Sequence, residues 1–236
     1  MRIEIWSDVV CPFCYIGKRH LEAALADFSA AEPVEVIWRS FELDPDSPRG
    51  GSEDTLTALM QKYRQSREQI LQMMERVQNM GAQVGLDLQL QKTKRTNTLD
   101  VHRLLYLAAQ EGLQGAAKER LLRAYFSESE HLGETETLVR LLTEVGLEPE
   151  AIRKTLADPQ AFFNEVDADL CEARNIGITG VPFFVFDQKY AVSGAQPVAV
   201  FTQILQKCQQ ESAAEHEMAA EVGLSCGEER CEIENP

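Results

Sequence analysis

Hydrophobic and polar positions change period along the chain. Arg2 to Ser7 alternates and carries Ile3, Ile5 and Trp6, the pattern of a β-strand. From Cys14 the period becomes helical, through Ile16, His20, Leu21, Ala24, Leu25 and Phe28. Pro12 falls in the first turn of that helix, where its missing N–H would have no intrahelical partner anyway. Pro33 ends the unit, and Val34 to Phe41 predicts a second strand. Strand, helix and strand in this order form a βαβ unit, expected parallel and right-handed.

Residues 42–163 hold no strand-like run of note. Apolar residues three or four apart form helical stripes at Leu56, Leu59, Met60 and Tyr63, and at Ile70, Met73, Met74, Val77 and Met80. Further stripes follow at Val101, Leu104, Leu105 and Ala108, at Leu121, Leu122 and Tyr125, and at Leu138, Leu141, Leu142 and Val145. Breaks fall at 44–48, 81–85, 112–115 and 146–149, each marked by Gly or Pro. The methionines read as core filling. A helix through Phe162, Phe163, Val166 and Leu170 is predicted to end near Gly177. Gly180 to Phe186 then reads as a buried strand, Asp187-Gln188 as a turn, and Lys189 to Ser193 as the second strand of a hairpin. A helix from about Pro197 to Gln209 closes the pattern. The pattern is that of an α/β fold: one small α/β domain built from residues 1–41 and 164–210, with an all-helical domain, 42–163, inserted in its middle.

Charge separates a third region from these two. The chain of 236 residues has a net charge of −15. Within residues 211–236 eight acids face one base, Arg230, a net −7, so an acidic C-terminal tail is expected to stand apart. The acidic balance argues against nucleic acid or anionic membrane as partners. The longest apolar run, Val181 to Phe186, is too short for a transmembrane helix. No apolar h-region follows Met1, so no secretory signal is expected in this chain and a cytoplasmic location is.

The chemistry sits in cysteines. Cys11-Pro12-Phe13-Cys14 follows a strand and opens a helix, where unpaired N–H groups present a partial positive charge. A thiol there is expected to have a lowered pKa, so Cys11 is the candidate nucleophile and Cys14 the thiol that resolves a mixed disulfide. A bare CxxC also suits metal or a structural role, and its place after a strand in a βαβ unit favours redox work. Asp8 either tunes the pair or only caps local N–H groups; the second reading is preferred, because a close carboxylate would raise the thiol pKa.

The segment from Asp8 to Gly17 (DVVCPFCYIG), the distant Gly180-Val181-Pro182-Phe183-Phe184 and the helical insert between them resemble the DsbA family of thioredoxin-fold oxidoreductases. Within that family the match is to the FrnE-like branch of dithiol–disulfide isomerases, which Asn97-Thr98, His102-Arg103-Leu104 and the run from Val192 to Pro197 also resemble. The branch usually carries Trp between its cysteines, where this chain has Phe13. The resemblance covers residues 1 to about 210 and implies a thioredoxin-like domain with a helical insert. It also implies a cis Pro182 against the cysteine pair, with Phe13, Val181 and Pro182 binding substrate. From the residues alone, a trans Pro182 opening an edge strand is an equal alternative. Asn97 or Thr98 is expected simply to cap a helix beginning near Leu99, with His102 on its flank.

Cys226 and Cys231 enclose four residues, and Gly227 permits the turn a disulfide would need. An auxiliary redox pair exchanging with Cys11 and Cys14 is the preferred reading, against inert thiols or a four-thiolate zinc site. Cys171 and Cys208 are taken as small buried hydrophobes. The function expected is thiol–disulfide exchange on protein or small-molecule disulfides, with glutathione or a thioredoxin-type donor as electron source and no cofactor or metal. The alternative is a glutathione-dependent isomerase or transferase of the kappa or hydroxychromene-carboxylate isomerase type. Those relatives commonly carry serine in place of the first cysteine, and here both cysteines are present.

Overall fold

The computed structural model describes residues 1–31, 33–51 and 53–225, with 215–225 as backbone alone. Cys226 and Cys231 lie outside the described residues. The first strand, β1, spans Arg2–Ser7 and is followed by helix α1, Pro12–Ala26, and strand β2, Glu35–Ser40. β1 and β2 are parallel, as the βαβ pattern predicts, with Ile5 opposite Trp38 and Ser7 opposite Ser40. The hairpin strands β3, Phe183–Phe186, and β4, Tyr190–Ser193, complete the sheet in the order β2-β1-β3-β4, with β3 antiparallel to both its neighbours. Asp187 and Gln188 take positive φ values of 47° and 56° at the centre of the turn that the Lys189 N–H closes on the Phe186 carbonyl at 2.9 Å.

Alternation along the strands gives the sheet two different faces. Ile3 and Ile5 of β1, Phe184 and Phe186 of β3, and Val192 of β4 pack against Leu21 and Ala24 of α1. The same core holds Phe201, Leu205 and Cys208 of the last helix, α9 (Val198–Ser225). Trp6 of β1 points the other way, to Ala173 and Ile178 at the end of α8 (Phe163–Asn175).

Between β2 and α8 the regular elements among the described residues are helices, with a single isolated bridge between Asp54 and Lys94. The helices are α2 (Thr55–Tyr63), α3 (Arg67–Ala82), α4 (Leu99–Gln110), α5 (Gln114–Phe126), α6 (Thr135–Thr143) and α7 (Pro149–Ala157), with one short 3-10 turn at Leu90–Lys92. Their stripes meet in one core that includes Ile70, Val101, Leu104, Leu121, Leu141 and Ile152 and reaches Tyr15 and Ile16 of α1. Tyr63 and Met80, which the stripes assign to the core, are exposed because they lie at the ends of their helices. α5 is tied to the sheet by Gln114, whose side-chain amide accepts from the Trp38 N–H and donates to the Trp38 carbonyl, both at 3.0 Å.

Two sequence expectations need correcting. The last helix does not stop near Gln209 but runs on to Ser225, through the start of the acidic segment, and the Tyr190 hydroxyl donates to Glu211. Cys171 is not a buried hydrophobe: it is half-exposed on α8 and accepts from the Arg174 guanidinium at 2.9 Å. Cys208 is buried as expected. Among the described residues no helix is long and apolar enough to cross a membrane.

Candidate functional site

Cys11 is the N-cap of α1 and Pro12 its first helical residue, so the CxxC motif opens the helix at the carboxyl end of β1. Cys14 sits one turn in, and its backbone N–H donates to the Cys11 carbonyl at 3.0 Å. The Val181–Pro182 peptide is cis, as the resemblance implies, and the Cys11 thiol donates to the Val181 carbonyl at 3.4 Å. The cis loop can lie this close because α1 presents no side chain at Gly17. A Cβ there would stand 3.1 Å from Pro182 Cγ and 3.2 Å from the Phe184 ring. The segment that follows β4 holds the loop from behind: the Gly194 N–H donates to the Pro182 carbonyl at 2.8 Å, and His20 Nδ1 meets the Gln196 carbonyl at 2.8 Å. Phe13 is exposed at the rim, and Val181 and Phe183 are half-buried against the cluster of Trp6, Ala173 and Ile178. Beyond Val10, which precedes Cys11, an open groove of about 500 Å³ is lined by Leu43, Leu59, Lys62, Arg95 and Tyr125.

The electrostatics reverse one expectation. The helix start predicts a lowered pKa for Cys11; the residue is buried instead, and its thiol is held well above the ordinary value. Its hydrogen bond to Cys14 is the main cause, followed by burial, the charge on Cys14 and the nearby Asp8 carboxylate. Cys14 moves the other way. Burial opposes its ionisation, but the Cys11 thiol, the Lys118 charge, the Ser7 hydroxyl and the Asp8 amide together pull its pKa down. The two thiols are thus driven in opposite directions, the outer one up and the inner one down.

Asp8 is more than a loop cap. It is fully buried, and its Oδ2 accepts from the Leu43 amide at 2.8 Å while Oδ1 faces His102 Nε2 at 3.5 Å. Burial alone would raise its pKa, but His102, the Leu43 amide and Lys118 outweigh it, so the carboxyl is held below its ordinary value. His102 does not lie on the flank of α4: it is 1 % exposed and turned toward the site. Asn97 does the local work expected of it, accepting from the Leu99 amide at 3.2 Å and donating to the Pro45 carbonyl at 3.0 Å. Thr98 is the N-cap of α4 without a side-chain capping bond.

Sequence reasoning missed Lys118. It lies on α5, fully buried, with its ammonium donating to the Ser7 carbonyl at 3.3 Å and standing 5.5 Å from the centre of the Trp38 ring. Burial pulls its pKa down to about 8 against the opposing pull of Cys14, Asp8 and Cys11. A signal existed: Lys118 stands three and four residues before Leu121 and Leu122, in phase with the apolar stripe of its helix. What the site can do chemically follows from its parts. It holds two adjacent thiols whose pKa values are driven apart, a buried lysine whose charge acts on the inner sulfur, and a backbone carbonyl at the outer one, with the exposed Phe13 at the rim.

Comparison with known proteins agrees with this geometry. The family model of the DSBA-like thioredoxin domain matches residues 2–206. The structure of a probable DsbA oxidoreductase from Streptomyces coelicolor superposes with a TM-score of 0.85 at 43% identity, over 89% of this chain and 91% of that one. A 2-hydroxychromene-2-carboxylate isomerase is similar at TM-score 0.67 and 15% identity, over 91% of this chain and 99% of that one. The cytosolic disulfide reductase DsbM from Pseudomonas aeruginosa, solved with GSH, is similar at TM-score 0.60 and 17% identity, over 88% of this chain and 98% of that one. These last two likenesses speak for the fold alone.

Proposed function

The chain belongs to the DSBA-like thioredoxin domain family, and from that premise we propose that it is a thiol–disulfide oxidoreductase or isomerase working through Cys11 and Cys14. The observation that carries this reading is the placement of the Cys11 sulfur, at the mouth of α1 and 3.4 Å from the Val181 carbonyl. A substrate disulfide meeting Cys11 there would lie along the backbone of Val181 and Pro182 and against Phe13. Before attack, the proton shared by the two sulfurs passes from Cys11 to Cys14, which moves the charge to the outer sulfur. The Cys11 thiolate then attacks one sulfur of the substrate disulfide and expels the other as thiolate. Cys14, deprotonated in turn, attacks Cys11 and releases the second substrate thiol, leaving the Cys11–Cys14 disulfide.

Protein disulfides or small disulfides are the substrates in this reading, and glutathione or a thioredoxin-type protein restores the dithiol. A cytoplasmic setting and a glutathione link are part of this reading. The presence of both cysteines favours dithiol exchange over the single-sulfur chemistry of a glutathione-dependent isomerase. Insulin reduction with glutathione as donor tests it. Wild type is expected to be active, Cys11→Ser to fall to background, and Cys14→Ser to accumulate mixed disulfides through Cys11. Inactive wild-type protein that instead isomerises a hydroxychromene carboxylate with glutathione would replace this reading with the alternative. Cys226→Ser/Cys231→Ser tests the auxiliary pair: slower multiple turnover with unchanged single-turnover exchange is expected, and unaltered turnover would make those thiols bystanders.

A further inference from the structure

A lysine buried in a core is costly unless something compensates its charge, because desolvation disfavours the ammonium. Lys118 is fully buried, yet its ammonium donates to a neutral carbonyl, that of Ser7, and lies over the Trp38 ring. The paired lysine of the same region, Lys18, contrasts with it: its ammonium lies 2.6 Å from the Glu119 carboxylate and also meets Glu22. The anionic groups that act on Lys118 are Cys14 and Cys11 at the start of α1 and Asp8 in the loop before it. Behind Asp8 stand His102 of α4, at 3.5 Å, and the half-buried Glu42. None of these is a carboxylate in salt-bridge contact with Lys118.

We propose that Lys118 is a positioning residue for the redox pair: its buried ammonium is the counter-ion of the dithiol's thiolate, present when Cys11 and Cys14 are reduced and losing its proton when they are oxidised. This rests on the thiol–disulfide reading of that pair. The balance is simple. Reduced protein carries Cys11 as thiol, Cys14 as thiolate and Lys118 as ammonium. Oxidation by a substrate disulfide forms the Cys11–Cys14 bond, breaks the substrate S–S bond and passes two electrons to the substrate sulfurs. One leaving thiolate takes the Cys11 proton and the other, through solvent, takes a proton from Lys118, which is left as the amine. The sulfur charge that supported the ammonium has then gone, while its burial is unchanged. The helical insert thus supplies a charge that stabilises the reduced form, which makes the couple more oxidising.

Two measurements test this. The first is equilibration of wild type and Lys118→Met with glutathione redox buffers, read by thiol trapping, together with the pH midpoint of Cys alkylation. The variant is expected to shift the equilibrium about tenfold toward the disulfide, about 30 mV more negative, and to move the alkylation midpoint upward. Equal potentials and equal midpoints in folded wild type and variant would overturn the proposal. The second uses wild type only, so that misfolding of the variant cannot hide the answer. The Lys118 ε-carbon is titrated by NMR in reduced and oxidised protein. A lower pKa in the oxidised form is expected, and the same pKa in both overturns the proposal. Wild type that fails to equilibrate with glutathione at all would instead sink the thiol–disulfide reading itself.

Discussion

Two clusters of buried charge flank the sheet, and they are built on opposite plans. On the α8 face, Glu4 of β1 binds Arg39 of β2, Arg39 reaches Asp169 at 3.0 Å, and Asp169 also accepts from the Ser40 amide at 2.7 Å and the Tyr106 hydroxyl at 2.6 Å. Every charge there meets an opposite charge or a hydrogen bond that suits it. The guanidinium also packs on the Trp6 ring, at 6.0 Å from its centre. Beside the cysteines, Lys118 has a carbonyl, Asp8 and His102 stand at 3.5 Å, and the remaining negative charge is, in the proposal above, a thiolate that disappears on oxidation. The first cluster is a closed account of charge and holds three elements together. The second is left under-paired, so that its charges respond when a sulfur changes state. Full pairing fixes structure, whereas incomplete pairing couples protonation to chemistry.

The contrast can be broken or sharpened by substitution. The largest effect on folding is expected at the closed cluster. Asp169→Ala leaves Arg39 with Glu4 alone, strips the Ser40 amide and the Tyr106 hydroxyl of their acceptor, and should cost about 3–5 kcal/mol in denaturant unfolding, because buried donors are left unpaired. The glutathione equilibrium of the molecules that remain folded should stay at the wild-type value; a shifted potential would show that the two clusters are one.

A slightly smaller effect, and of opposite sign, is expected at the open cluster. Lys118 has a folded-state pKa of about 8 against an ordinary 10.5, so between these values the unfolded chain binds more protons than the folded one. Stability of reduced protein should therefore rise with pH across that window, by about 3 kcal/mol in total from this residue. Lys118→Met should lack that rise and be the more stable protein at pH 7. Parallel pH profiles for the two in chemical denaturation would place the lysine's charge outside the energetics of folding.

The smallest effect tests the geometry between them. Gly17→Ala puts a methyl group 3.1 Å from Pro182 Cγ, where the ring of Phe184 blocks retreat. A loss of about 1–2 kcal/mol is expected, with exchange slowed several-fold as the Val181 carbonyl moves away from Cys11. Insulin reduction at wild-type rate would mean that the loop's distance from α1 does not matter.

Much of the fold was legible because its signals are local. β1 and the start of α1 come from strict alternation followed by a proline at a helical first position, and the hairpin from a turn dipeptide between two β-rich runs. The charge distribution of the site was not legible, because it depends on contacts across the chain. Lys118 meets Ser7 more than a hundred residues away, and His102 meets Asp8 over a similar span. A helix flank and a helix interior look alike for a lone histidine until the neighbouring helices are placed. The expectation for Cys11 failed for the same reason: the helix terminus was visible, but the sulfur of Cys14 and the carboxylate of Asp8, which outweigh it, act through space. The reach of α9 to Ser225 escaped because the rise in acidic residues after Gln209 looked like a boundary, while the helical backbone continued through it.

The amide of Gln114 has a consequence for the company this chain keeps. β2 is an outer strand of the sheet, and outer strands offer free backbone groups to any passing extended chain. At Trp38 both of those groups are already taken by one side chain, so the middle of β2 is closed to a fifth strand. A protein proposed to handle other proteins' disulfides meets extended, partly unfolded chains as its ordinary business, and this edge does not invite them to add to the sheet. Growth of the sheet between molecules, by strand exchange or aggregation, is left with β4, an edge only four residues long.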